Sequence, residues 1–168
     1  MRMDTELCKV RGGLPLRGRR RFETILRASQ EICGLSSFPG ILSVVLLPRA
    51  EMTEMNALHL HHEGATDVIT YDLRGEHPES HEAEEVVAEL YICPEVALEY
   101  ARAHGLSPSR ELVLYAVHGM LHLSGQDDLT EGERAEMRRK ESEALSALER
   151  RGLRLEGFLE DVMVGEGE

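Results

Sequence analysis

The chain has 168 residues, of which 42% are hydrophobic, and a formal net charge of -12. That length suits one domain with a single sizeable core. The charge argues against a surface coated in positive potential for nucleic acid. No apolar run approaches the roughly 20 residues of a spanning helix, which argues against a membrane protein.

The opening "MRMDTELCKV" lacks the apolar segment of a signal peptide, so the sequence predicts a soluble cytoplasmic protein. Cys8, Cys33 and Cys93 form no C-x-x-C pair and imply neither a disulfide framework nor a cysteine zinc site. Each is expected to be a small buried hydrophobe. Of the 19 basic residues, 17 are arginine, the residue suited to bidentate phosphate contacts. The run Arg19, Arg20 and Arg21 is either such a contact surface or a solvated helix start.

In chain order, a short strand is expected near Leu7 to Val10. "RRRFETILRASQEICGL" places Phe22, Ile25, Leu26 and Ile32 at helical spacing. "ILSVVLLP" is β-branched, apolar and ended by proline, which predicts a buried strand. "AEMTEMNALHLHH" predicts a short helix. "TDVITYDL" alternates Val68, Thr70 and Asp72 against Ile69, Tyr71 and Leu73, as a half-buried strand does. The acidic "RGEHPESHEAE" is a loop, and "EVVAELYIC" is another strand. "PEVALEYARAHG" opens a helix at proline and stops it at glycine. "SPSRELVLYAVHGMLHLSG" predicts a long, central, buried helix. "LTEGERAEMRRKESEALSALERRG" predicts an amphipathic helix, with Thr130 and Glu133 spaced for a capping box. The fold class is therefore α+β, a small sheet packed by helices. Residues 1–152 form the domain. Residues 153–168 have the acidic composition of a disordered tail.

The chemistry concentrates in "HGMLHLSGQDD", residues 118–128. His118 and His122 lie on one helix face and can aim two imidazoles at one ion. Gly125 can end the helix and turn the chain back. Asp128 can then return as third ligand, with Asp127 the alternative. Two imidazoles and a carboxylate suit one zinc per chain and leave a fourth position open. The spacing is that of H-E-x-x-H-x-x-G-x-x-H, with Asp128 for the third histidine and Gly119 for the general-base glutamate. A second i, i+4 pair, His77 and His81, falls in the acidic loop. The cluster His59, His61 and His62 reads as surface or groove lining.

This stretch resembles the H-G-x-L-H-L-x-G-x-D-H signature of the YbeY-type endoribonucleases, which mature ribosomal RNA in bacteria. "MNALHLHHEGATDVITYDL" is similar to that family's N-x-x-Y-R and T-D-V-L-S-F blocks, with Thr66 and Asp67 at the Thr-Asp pair. "AELYICPEVALEYA" is similar to its G-D-I-x-I strand and following helix. The resemblance implies a small mixed sheet and a zinc held by three histidines; here His118 and His122 match two of them, and Asp128 stands at the position of the third. It implies a single-strand-specific endoribonuclease acting in ribosomal RNA maturation and ribosome quality control. Expected partners are ribosomal RNA and a ribosomal subunit or ribosome-associated proteins, without DNA. His118 and His122 would act through the water that the metal activates.

The family's phosphate-handling arginine falls at Leu60. Arg74 is the first candidate to replace it as a catalytic residue, and Arg102 the second. Two rival readings remain. One is a zinc metallopeptidase-like hydrolase, opposed by Gly119. The other is a ribosome-associated RNA-binding factor whose cleavage is weakened by Leu60.

Overall fold

The computed structural model describes residues 3–9, 16–58 and 68–159. Its elements are β1 (Asp4–Lys9), α1 (Arg19–Ile32), β2 (Ile41–Leu46), α2 (Arg49–Leu58), β3 (Val68–Asp72), β4 (Val86–Ile92), α3 (Pro94–His104), α4 (Pro108–Leu123) and α5 (Glu131–Arg150). The sheet runs β1-β2-β4-β3. β1 pairs parallel with β2, and β2 parallel with β4, while β3 runs antiparallel to β4. This is the mixed α+β sheet that the sequence predicts.

β2 is buried on both faces because apolar side chains point both ways along it. Leu42, Val44 and Leu46 join the main core beneath α1, α4 and α5. Val45 joins a smaller cluster on the other face, with Leu47, Met52 and Ile69. The same two-sided cover explains why the expected alternation along β3 is incomplete. Val68 enters the main core and Ile69 the smaller cluster, so both are buried.

The helix that carries His118 and His122 is the centre of the fold. α4 packs against β3, β4, α1, α3 and α5. Pro108 opens it, and the Ser107 side chain accepts from the Arg110 N–H, a cap that typically contributes about 1 kcal/mol. α5 begins at the capping box read from the sequence: Thr130 accepts from the Glu133 N–H, and the Glu133 carboxylate accepts from the Thr130 N–H, both at 3.0 Å.

One expectation needs correction. The domain does not end at residue 152. Leu155, Phe158 and Leu159 are buried in the main core. The Phe158 and Leu159 N–H groups donate to Ser109 Oγ, at 2.9 and 3.0 Å. Phe158 also meets Phe22 edge-on, with centroids 5.3 Å apart. Apolar residues at three positions outweigh the acidic composition between them. The rest of the expected tail, 160–168, lies outside the described residues.

The arginine run falls at the start of α1, and two of its side chains reach other segments. Arg19 donates to the Leu7 carbonyl and pairs with Glu23. Arg21 donates to the carbonyls of Arg154 and Glu156 and lies over the Phe158 ring, 4.5 Å from its centroid. These two arginines tie α1 to β1 and to the C-terminal segment, and Arg20 is exposed. Cys33 and Cys93 are free and buried, as expected, and burial pushes the Cys33 thiol up to about 12. The Cys8 side chain lies outside the described set.

Candidate metal centre

The site is built where α4 ends. The Gln126 N–H donates to the Leu121 carbonyl at 2.9 Å and the Gly125 N–H to the His122 carbonyl at 3.0 Å. This is the paired closure of a Schellman turn. It needs a left-handed residue after the helix, and Gly125 supplies it at φ 102. The chain doubles back and brings Asp128 to the two histidines.

Three donor atoms converge. His118 Nε2 and His122 Nε2 stand 3.0 Å apart, and Asp128 Oδ2 is 3.4 Å from each. Ligands at the ~2.1 Å of a tetrahedral zinc lie about 3.4 Å from one another. The triangle therefore has the dimensions of one ion's ligand set. Among the described residues these three form the group able to hold a metal. Asp127 is exposed and stands outside it.

Each imidazole is prepared differently. His118 is buried, and its Nδ1 lies 2.5 Å from Glu141 Oε2, across the helix interface from α5. His122 is half-buried. Its pKa is lowered, first by burial and next by the neighbouring His118, with Asp128 opposing. Both influences favour the neutral ring, whose lone pair is what a metal requires. The two rings meet edge to face, with centroids 4.6 Å apart.

Gly119 answers the question raised by its place in the motif. A Cβ built there would meet Leu90 Cδ2 at 2.6 Å and Thr70 Oγ1 at 3.1 Å. The residue after the first histidine therefore presses on β3 and β4. The position has no room for a glutamate, so the metallopeptidase arrangement does not fit this packing.

Arg74, expected as a catalytic arginine, is engaged elsewhere. Its side chain is 8% exposed and forms a bidentate pair with Asp72, at 2.9 and 2.8 Å. It also donates to the Leu123 carbonyl and lies 4.8 Å from the Phe38 ring centroid. The structure gives it the end of α4 to hold. Arg102 is exposed on α3. His59, Leu60, His61, His62, Thr66 and Asp67 lie outside the described residues. His77 is exposed, and His81 binds Glu85 at 2.8 Å and the Arg74 carbonyl at 2.7 Å, so that pair does not converge on an ion.

The sequence reading missed Glu141 and Glu111. Glu141 shares the buried stripe of α5 with Met137, Ala144, Leu145 and Leu148. A charged residue in an apolar stripe was the available signal. Glu111 lies on α4, and burial, then the charge of Glu141, raises its pKa.

A family model described as Endoribonuclease YbeY matches residues 16–149. The chain belongs to the YbeY family. Among relatives, the YbeY endoribonuclease of Staphylococcus saprophyticus is 35% identical over 108 residues, covering 63% of this chain and 71% of its own length. That of Staphylococcus aureus is 36% identical over 110 residues, with the same coverage. A solution structure of a Thermotoga maritima protein matches the fold with a TM-score of 0.53, at 24% identity, over 83% of this chain and 85% of that one. The matched YbeY region contains His118, His122, Asp128 and Glu141.

Proposed function

We propose that this YbeY-family protein is a zinc-dependent endoribonuclease, specific for single strands, that acts in ribosomal RNA maturation and ribosome quality control. Its partners are then ribosomal RNA and a ribosomal subunit or ribosome-associated proteins, in the cytoplasm. The observation that carries the reading is the convergence of His118 Nε2, His122 Nε2 and Asp128 Oδ2, in a chain whose relatives are named as YbeY endoribonucleases.

A zinc ion held by His118, His122 and Asp128 would supply Lewis acidity toward a phosphoryl oxygen and would lower the pKa of water. The protein's own residues do the rest. His118, His122 and Asp128 fix the position of the charge. The burial that keeps His122 neutral also keeps it available as a ligand. Asp128 adds a negative charge that three imidazoles would lack, which weakens the ion as a Lewis acid. Gly119 keeps the helix against the sheet.

The second reading, an RNA-binding factor with weakened cleavage, gains from one observation. Arg74 is committed to Asp72 and Leu123, which counts against it as a replacement for the family arginine that Leu60 lacks. Losing one such donor typically costs on the order of 100-fold or more in rate.

The test is single-turnover cleavage of a single-stranded RNA by wild type, Leu60→Arg and His118→Ala, each with zinc measured and with a chelator arm. Slow, chelator-sensitive cleavage that rises in Leu60→Arg and vanishes in His118→Ala is expected. Salt-sensitive RNA binding without turnover, in zinc-loaded wild type and in Leu60→Arg alike, would favour the binding factor. Cleavage surviving His118→Ala would remove the metal from the reaction.

A further inference from the structure

Glu141 carries a charge into a place where charge is expensive. Its side chain is 11% exposed, and its α5 neighbours on the same stripe are Met137, Ala144, Leu145 and Leu148. A buried carboxylate is costly unless it is paired and hydrogen-bonded. Among the described residues, its ion-pair partner is His118, at 2.5 Å from Nδ1. The Nδ1 and Nε2 atoms lie on opposite sides of an imidazole ring. Glu141 therefore stands behind His118, away from His122 Nε2 and Asp128 Oδ2.

We propose that Glu141 is the positioning residue of the metal centre: it accepts the Nδ1–H of His118, fixes that tautomer and ring orientation, and so aims the Nε2 lone pair at the ion. The proposal rests on the metal-site reading above and adds a fourth side chain to it. An imidazole offers a lone pair at one nitrogen only when its proton sits on the other, and the bond made by the protonated nitrogen decides which. A carboxylate in that role also makes the ring a stronger donor, and removing such a partner typically costs 10- to 100-fold in metal affinity. The three ligands come from one stretch, residues 118–128, whereas Glu141 comes from α5. Metal affinity then depends on how α5 docks against α4.

The experiment uses the full chain as wild type, Glu141→Gln and Glu141→Met. Zinc affinity is measured by chelator competition. The His118 tautomer is read in the metal-free protein by long-range nitrogen–proton correlation, and thermal unfolding reports folding. Wild type is expected to show the Nδ1–H tautomer. Glu141→Gln keeps an acceptor oxygen and is expected to retain that tautomer and to bind zinc within a few-fold of wild type. Glu141→Met is expected to lose the tautomer preference and to bind zinc 10- to 100-fold more weakly. Equal affinity and an unchanged tautomer in Glu141→Met would overturn the proposal. If that variant fails to fold, an Nε2–H tautomer in metal-free wild type would overturn it. A wild type that binds no zinc would sink the metal-site reading, and the tautomer would still decide the role of Glu141.

Discussion

The Arg74 guanidinium closes on the carbonyl of Leu123, the last residue of α4. That carbonyl is one of the orphan acceptors at a helix end, and it lies next to the turn that returns Asp128. Asp72 holds the guanidinium from the other side, and this pairing keeps the Asp72 carboxyl below its ordinary pKa. Arg74→Ala should therefore destabilise the protein by about 2 kcal/mol, less than the full cost of a broken buried pair because Asp72 is half exposed. Urea unfolding measures this. A variant as stable as wild type that had lost cleavage would return Arg74 to a phosphate-binding role.

Asp128 is the candidate ligand that departs from the family pattern. Asp128→Ala should lose most of the zinc, whereas Asp127→Ala should keep it, because only Asp128 reaches the two histidines. Asp128→His should bind zinc more tightly, since a third imidazole suits zinc well. Metal content after dialysis separates these outcomes. Full occupancy in Asp128→Ala would exclude it as third ligand.

Gly119 sits inside a helix, where alanine usually gains about 1 kcal/mol over glycine. Its Cβ would meet a fully buried Leu90 at 2.6 Å, and overpacking typically costs about 1–3 kcal/mol. Gly119→Ala should be net destabilising, and Gly119→Glu should not fold stably. A double-mutant cycle with Leu90→Ala checks the cause: the penalty of Gly119→Ala should largely disappear once Leu90 is truncated. A penalty that persists would locate the strain elsewhere.

Glu111 gives the pH dependence. Burial and then Glu141 raise its pKa above the ordinary 4.5, so the native state holds this proton to higher pH than the unfolded chain does. Where the native state binds more protons, stability falls as pH rises. The loss begins near the unfolded value and is complete above the raised native value. Glu111→Gln, which stays neutral, should match wild type at low pH and exceed it in melting temperature at neutral pH. A difference between the two proteins that stays flat from pH 4 to 8 would contradict this origin.

Much of this was legible in the sequence because the signals were local. The i, i+4 histidines, Gly125 and Asp128 lie within one helix and its closing turn, and Thr130 and Glu133 within another. Helical period and turn chemistry act at that range. What escaped depended on partners distant in sequence. Arg74 meets a carbonyl 49 residues away, and Glu141 meets an imidazole 23 residues away. Phe158 docks beside Ser109 despite an acidic setting, because three buried apolar side chains decide the path of that segment. Composition averages over such contacts and hides them.

The closeness of the three candidate ligands along the chain has a consequence for the denatured state. His118, His122 and Asp128 stay near one another in a random coil, so an unfolded chain retains some capacity to chelate. Ions bound to the denatured ensemble subtract from the stabilisation that the native site provides. Added zinc should therefore raise the melting temperature by less than the native affinity alone implies. Any part of the affinity that depends on the docking of α5 exists only after folding, and it is this part that a thermal shift reports.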